Sequence, residues 1–274
     1  MACYRLHLLR AARQYRCPDL ADTYSVAASY QTGISFKQGN RLGLEAARKA
    51  VALDDSSSEA HSALGSALGG ARDWSESERE FRRALELNPN NANARYFYSL
   101  NVLIPQKRID EAVKEFQTAL SLDPLAPIIN MNYAVVLMMA RRYPESQAQF
   151  EKTGVANPSL RGNHFYLSHL YATEGRFGDA IQEIGKGGVV KGTWNPDASG
   201  YSKLIQSIVA DDDPSVVAFT FALAGDRDRA FEWLEKAYAI EDADLILVLR
   251  YPGLDPIRSD PRYKAFMTKM GLPE

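Results

Sequence analysis

The residues best suited to chemistry are few: His61, His164 and His169, Cys3 and Cys17, Lys186 within Gly185-Lys-Gly-Gly188, and the run Asp211-Asp-Asp213. A helical zinc site needs two histidines one turn apart, as in His-Glu-x-x-His. His164 and His169 are five apart, which sends them to different sides of a helix, so no metal site is expected. The segment Gly185-Lys-Gly-Gly188 lacks the Ser or Thr that follows the lysine of a phosphate loop, and no strand precedes it. It reads as a loose helix end. The three aspartates read as a solvated turn that caps a helix at Pro214. No nucleophile has a base at usable spacing, so the chain is expected to be neither an enzyme nor a cofactor binder.

Composition narrows the function further. A net charge of −2 removes the broad basic surface that nucleic acid binding requires. Charged residues at 24% and hydrophobic residues at 46% place the chain among globular proteins that build a core. No apolar run reaches the length of a membrane span. Cys3 and Cys17 both lie near the start and read as free thiols in a reducing, cytoplasmic compartment. Residues 1–10 are basic without a long apolar segment, unlike a secretory signal.

The positioning elements are repeats. Phe81-Arg-Arg-Ala-Leu-Glu-Leu-Asn-Pro89, Phe116-Gln-Thr-Ala-Leu-Ser-Leu-Asp-Pro124 and Phe150-Glu-Lys-Thr-Gly-Val-Ala-Asn-Pro158 are near-copies. Their period of about 34 residues is that of stacked helical hairpins. Each unit reads as a helix A and a helix B. In the first, helix A runs from about Ser58 to Gly70, with a capping box at Ser56 and Glu59. Helix B opens on a second box, Asp73 to Glu76, and stops at Pro89. Gly65 is the expected point of closest approach, Phe81 the wedge and Ala84 the second small contact. The next unit, 92–125, has one extra residue. It is expected in the loop Ile104-Pro-Gln-Lys-Arg108, so that Ser99 takes the place of Gly65. Units at 127–160 and 161–187 follow. Weaker hairpins flank them, at Leu20–Tyr30 with Gly43–Leu53, and at Pro214–Ala224 with Arg227–Ala239. One helix is expected near Ser199–Val209, and a last one, about Pro261 to Met270, stops at Gly271.

These matches resemble the tetratricopeptide repeat. Leu64, Gly65, Phe81, Ala84 and Pro89 fit it, as do Ser99, Ala112, Phe116, Ala119 and Pro124, then Ala134, Phe150 and Pro158, then Tyr171 and Ala180. The tryptophan of the motif is replaced by His61 or Asn130. The resemblance implies an all-α, right-handed solenoid of antiparallel helix hairpins. Its parts are a leader (1–19), repeats (20–188), a connector with one helix (189–210), and a last hairpin with a capping helix (211–274). Arg229 to Tyr238, Leu254 to Arg262 and Met270 to Pro273 are similar to the C-terminal repeat half of bacterial regulators. Those regulators join such a half to a winged-helix domain, a kinase or a cyclase.

The resemblance also implies a scaffold that binds a protein or peptide along the A helices, or else the sensor half of a regulator whose effector is separate. Helical spacing puts Asn93, Tyr96, Leu100 and Leu103 on that face, then Met131, Val135 and Met138, then Phe165 and His169. The patch is apolar, aromatic and methionine-rich, as adaptable interfaces are. Only Asn132 resembles a group of a carboxylate clamp, and no basic residue stands beside it, so no clamp is expected.

Overall fold

A computed structural model describes residues 36–187, 193–209, 213–242 and 244–274. Cys3, Cys17, the hairpin half at Leu20–Tyr30, Gly188 and Asp211-Asp212 lie outside them. Among the described residues all regular structure is helical. The chain divides into two compact units. Unit 1 holds described residues 36–104 and 114–123, and unit 2 holds 105–113 and the described residues from 124 to 274.

The helices are α1 (Phe36–Leu53), α2 (Ser58–Gly70), α3 (Trp74–Leu87), α4 (Ala92–Tyr98, continued by a π-helical turn Ser99–Leu103) and α5 (Ile109–Leu122). Then come α6 (Pro127–Met139), α7 (Tyr143–Ala156), α8 (Arg161–Thr173), α9 (Phe177–Lys186), α10 (Ala198–Val209), α11 (Pro214–Leu223) and α12 (Arg227–Ala239). The C-terminal segment has α13 (Leu245–Val248), a 3-10 turn Pro252–Leu254, α14 (Asp255–Arg258) and α15 (Pro261–Met270). Helices α2, α4, α6, α8 and α11 are the A members of hairpins, and α3, α5, α7, α9 and α12 the B members. The all-α hairpin architecture expected from the repeats is the one found.

The hairpin contacts follow from residue size. A Cβ added at Gly65 would stand 2.9 Å from the Phe81 ring. Glycine is therefore what lets α2 and α3 close, with Phe81 and Ala84 fully buried between them. Ser77 donates a hydrogen bond of 2.6 Å to the Gly65 carbonyl, and Ser146 repeats it at 2.7 Å to Ala134. The small B-helix residue thus anchors the close approach as well as permitting it.

A polar clasp recurs where the tetratricopeptide motif has tryptophan. His61 Nδ1 lies 2.6 Å from Glu80, Arg95 donates to Glu115 at 2.6 Å, Gln149 donates to Asn130 at 2.8 Å, and His164 Nδ1 lies 2.6 Å from Glu183. The partners are nineteen residues apart in three repeats and twenty in the one with the extra residue. A polar bond inside each hairpin fixes register where ring packing would have done so, charge-assisted where Arg95 meets Glu115.

Two local expectations need correction. The N-cap of α2 is Ser57, which accepts from the Ala60 amide at 3.1 Å, while Ser56 bonds to Asp54 in the preceding turn. The extra residue of the second unit sits inside the helix rather than in the loop after it. The Ile104 amide bonds to the Ser99 carbonyl at 2.9 Å, an i→i−5 bond that defines the π turn. Helix α3 opens at Asp73 as expected, its carboxylate accepting from the Glu76 amide. Gly271 ends α15 in the left-handed conformation, φ 67°, the usual helix stop.

Helix α15 is the cap of unit 2. It lies along α12 through Phe266 edge-on to Tyr238, Arg262 over Phe231 and Lys269 over Tyr238. Ion pairs Arg262–Asp228 and Lys269–Glu235 border these contacts.

Candidate functional site

In unit 1 the A-helix face is open along part of α4, while Ser62 and Gly69 of α2 are buried. Asn93 is exposed, and Tyr96 and Leu100 are half-buried. The Tyr96 ring meets Phe116 edge-on, 5.8 Å between centroids, and burial raises its phenol pKa. Leu103 differs from expectation: it is fully buried. The π turn explains it, because one inserted residue advances the helical phase by about 100° and carries Leu103 from the outer face into the core.

In unit 2 most of the same face is covered, with Ile128 exposed. Met131, Val135, Met138 and His169 are buried, Met138 and His169 completely, where helical spacing alone puts them on an open surface. Two causes act. Helix α6 is apolar almost all round, and residues 134–139 are all buried, as such helices are. The run Val135-Val-Leu-Met-Met139 carried that signal. The second cause is long-range. The C-terminal segment lies against α8 and α11 and covers His169.

The His169 ring sits edge-on to Phe165 at 4.5 Å and to Phe219 at 4.9 Å, with Tyr251 at 6.2 Å. Neither ring nitrogen has a hydrogen-bonding partner among the described residues. Burial drives its pKa down to about 3, so the ring is neutral. Phe165 remains half-buried and lines an open apolar cleft of 260 Å³ with Gly162, Tyr166, Ile184 and Ile208.

The covering segment is held by specific bonds. Arg250 donates to the Pro105 and Pro273 carbonyls, Arg141 pairs with Asp255 at 2.6 Å, and Lys107 donates to the Glu274 carbonyl. At its root, Asp213 caps α11 and shares a half-buried patch with Asp242 and Asp244. Burial and the neighbouring carboxylates raise Asp213 to about 7, and burial with Asp242 raises Asp244 to about 6.

Among the described residues no three His, Cys, Asp or Glu side chains are placed to hold a metal ion, and no helix is long and apolar enough to cross a membrane. The described histidines are accounted for otherwise: His61 and His164 in clasps, His169 in the aromatic cluster. The clasps escaped the sequence reading, although the constant spacing of His61 to Glu80 and His164 to Glu183 was there to be found.

Hairpins of this length, geometry and register define a helical-repeat protein. Residues 58–91 and 102–159 match models of the tetratricopeptide repeat, so the chain carries tetratricopeptide repeats. A stretch of 80 residues is 35% identical to Protein O-mannosyl-transferase Tmtc2 of Drosophila melanogaster, and one of 86 residues is 34% identical to Protein O-mannosyl-transferase Tmtc1 of the same organism. These stretches cover 29% and 31% of this chain but only 8% and 10% of those relatives. The solved structure of pilF from Pseudomonas aeruginosa aligns over 92% of this chain and 97% of its own, with a TM-score of 0.52 at 20% identity. That likeness concerns the fold alone.

Proposed function

We propose that the chain is a non-catalytic scaffold that binds a protein or peptide along the A-helix faces of its repeats. The observation that carries this reading is the open face of α4. Asn93, Tyr96 and Leu100 offer a polar group, an aromatic ring and an aliphatic side chain on one rigid helix, the mixture that interface centres use. Shape and apolar burial supply the affinity, and neither nucleic acid nor a cofactor takes part. The compartment is the cytoplasm.

The test is affinity capture with the full chain, read by mass spectrometry, against an Asn93→Arg/Leu100→Ser variant of unchanged helical content. A set of proteins lost in the variant is expected. An unchanged set would remove the α4 face as the binding surface.

A second reading is favoured by the C-terminal segment. Leu254 to Arg262 and Met270 to Pro273, which together with Arg229 to Tyr238 carry the resemblance to regulator halves, belong to the C-terminal segment that covers one face of unit 2. A cover that exchanges with a partner would give a sensor half the two states it needs to act on a separate winged-helix protein or kinase.

A further inference from the structure

The cover on unit 2 has the form of a bound peptide. Tyr251 leads with an extended backbone, φ −69° and ψ 134°, and its ring packs edge-on against Phe219 at 5.8 Å. Pro252, Gly253 and Leu254 follow, all buried. Gly253 passes so close that an added Cβ would lie 2.3 Å from the Phe219 ring. Asp255 ends the stretch on the Arg141 guanidinium. In order, the surface is met by an aromatic ring, a residue without a side chain, an aliphatic residue and a carboxylate. Directly beneath lies His169, fully buried, with two ring nitrogens that this occupant leaves unpartnered. Leaving such groups unbonded is costly, so the present cover does not satisfy everything the surface offers.

We propose that Tyr251–Asp255 is an internal occupant of a peptide-binding surface formed by α8, α11 and Arg141 of unit 2. The external partner is a peptide segment of the same chemistry: aromatic, small, aliphatic, acidic, with a polar group for His169. This rests on the reading that the A-helix faces take peptides, and it adds their regulation. A tethered segment competes at an effective concentration on the order of millimolar. A free peptide at micromolar concentration therefore finds the surface closed until the tether is weakened, and the apparent affinity falls with the fraction of open molecules.

The experiment uses the full chain and a fluorescein-labelled peptide of residues 249–258, followed by anisotropy. Gly253→Trp wedges the cover away from Phe219. The variant is expected to bind the peptide at least tenfold more tightly than the unaltered chain. A peptide with alanine in place of Tyr251 is expected to lose that gain, and Arg141→Glu in the protein to reduce it. Equal binding by the variant and the unaltered chain, or by the alanine peptide, would overturn the proposal.

Should Gly253→Trp fail to fold, Asp255→Arg opposes Arg141 at an exposed ion pair and serves the same purpose. Amide exchange on the unaltered chain gives an independent reading. Residues 249–258 should open at least tenfold more often than 167–172 of α8, and identical opening would contradict a separable cover. Failure here, with capture through Asn93 and Leu100 intact, leaves the scaffold reading standing. Loss of that capture with peptide binding intact does the reverse.

Discussion

The A-helix face of α4 in unit 1 and those of α6 and α8 in unit 2 are built from the same repeat, yet the first is partly open and the others are mostly closed. On α4, Tyr96 and Leu100 keep part of their surface in water. On α6 and α8, the corresponding Met131, Val135 and His169 are buried, and Phe165 alone of these is half-buried. The repeat grammar of small and large residues is shared, so it cannot cause the difference. The causes are an apolar α6 and a C-terminal segment that supplies Tyr251 from far along the chain. Repeat sequence therefore specifies where an A-helix face forms, and the C-terminal segment decides how much of that face is left open.

Truncation should separate the two faces most strongly. Met138→Ala leaves a cavity in a filled interior and is expected to cost about 2–5 kcal/mol. Leu100→Ala, on the open face, should cost clearly less than half as much. Urea denaturation of both variants checks this, and equal losses would erase the distinction.

His169 gives the next effect. Its folded pKa of about 3 lies below the ordinary 6.5, so its contribution is intact above pH 6.5 and is lost as pH falls from 6.5 toward 3. His169→Phe should remove this acid sensitivity. It should also stabilise unit 2 near neutrality by about 1–3 kcal/mol, because two unbonded buried groups disappear. Melting curves from pH 4 to 7 measure both.

The carboxylate patch at the root of the cover works in the opposite direction. Asp213 and Asp244 have folded pKa values of about 7 and about 6, above the ordinary 3.8. Their contribution is complete below pH 3.8 and is lost as pH rises through 6 to 7. Asp213→Asn keeps an oxygen to accept from the Val216 amide and should flatten that decline. A melting temperature that falls as steeply between pH 5 and 8 in the variant would exclude the patch as its source. The smallest effect belongs to Asn93→Ala, within about 0.5 kcal/mol, because an exposed side chain is removed from an open surface.

What the sequence made legible was local. Gly65 against Phe81, the start of α3 at Asp73, helix α10, and the last helix ending at Gly271 all follow from residue size, caps and period. The π turn was not legible, because an extra residue is equally compatible with a longer loop, and only its hydrogen bonds place it at Ser99–Leu103. That ambiguity is what put Leu103 on the wrong face. His169 was assigned to the A-helix face by spacing, but its cover, Phe219 and Tyr251, lies fifty and more residues downstream. No periodic rule links positions that far apart.

The contrast between the two faces is tested most directly by hydroxyl-radical footprinting of the native full chain, read residue by residue by mass spectrometry. Methionine and tyrosine are both reactive, so protection reports burial. The account predicts that Tyr96 is modified in the native state, while Met138 and Tyr251 stay protected until denaturant opens unit 2. Modification of Met138 and Tyr251 at the rate of Tyr96 would show both faces open and would contradict it.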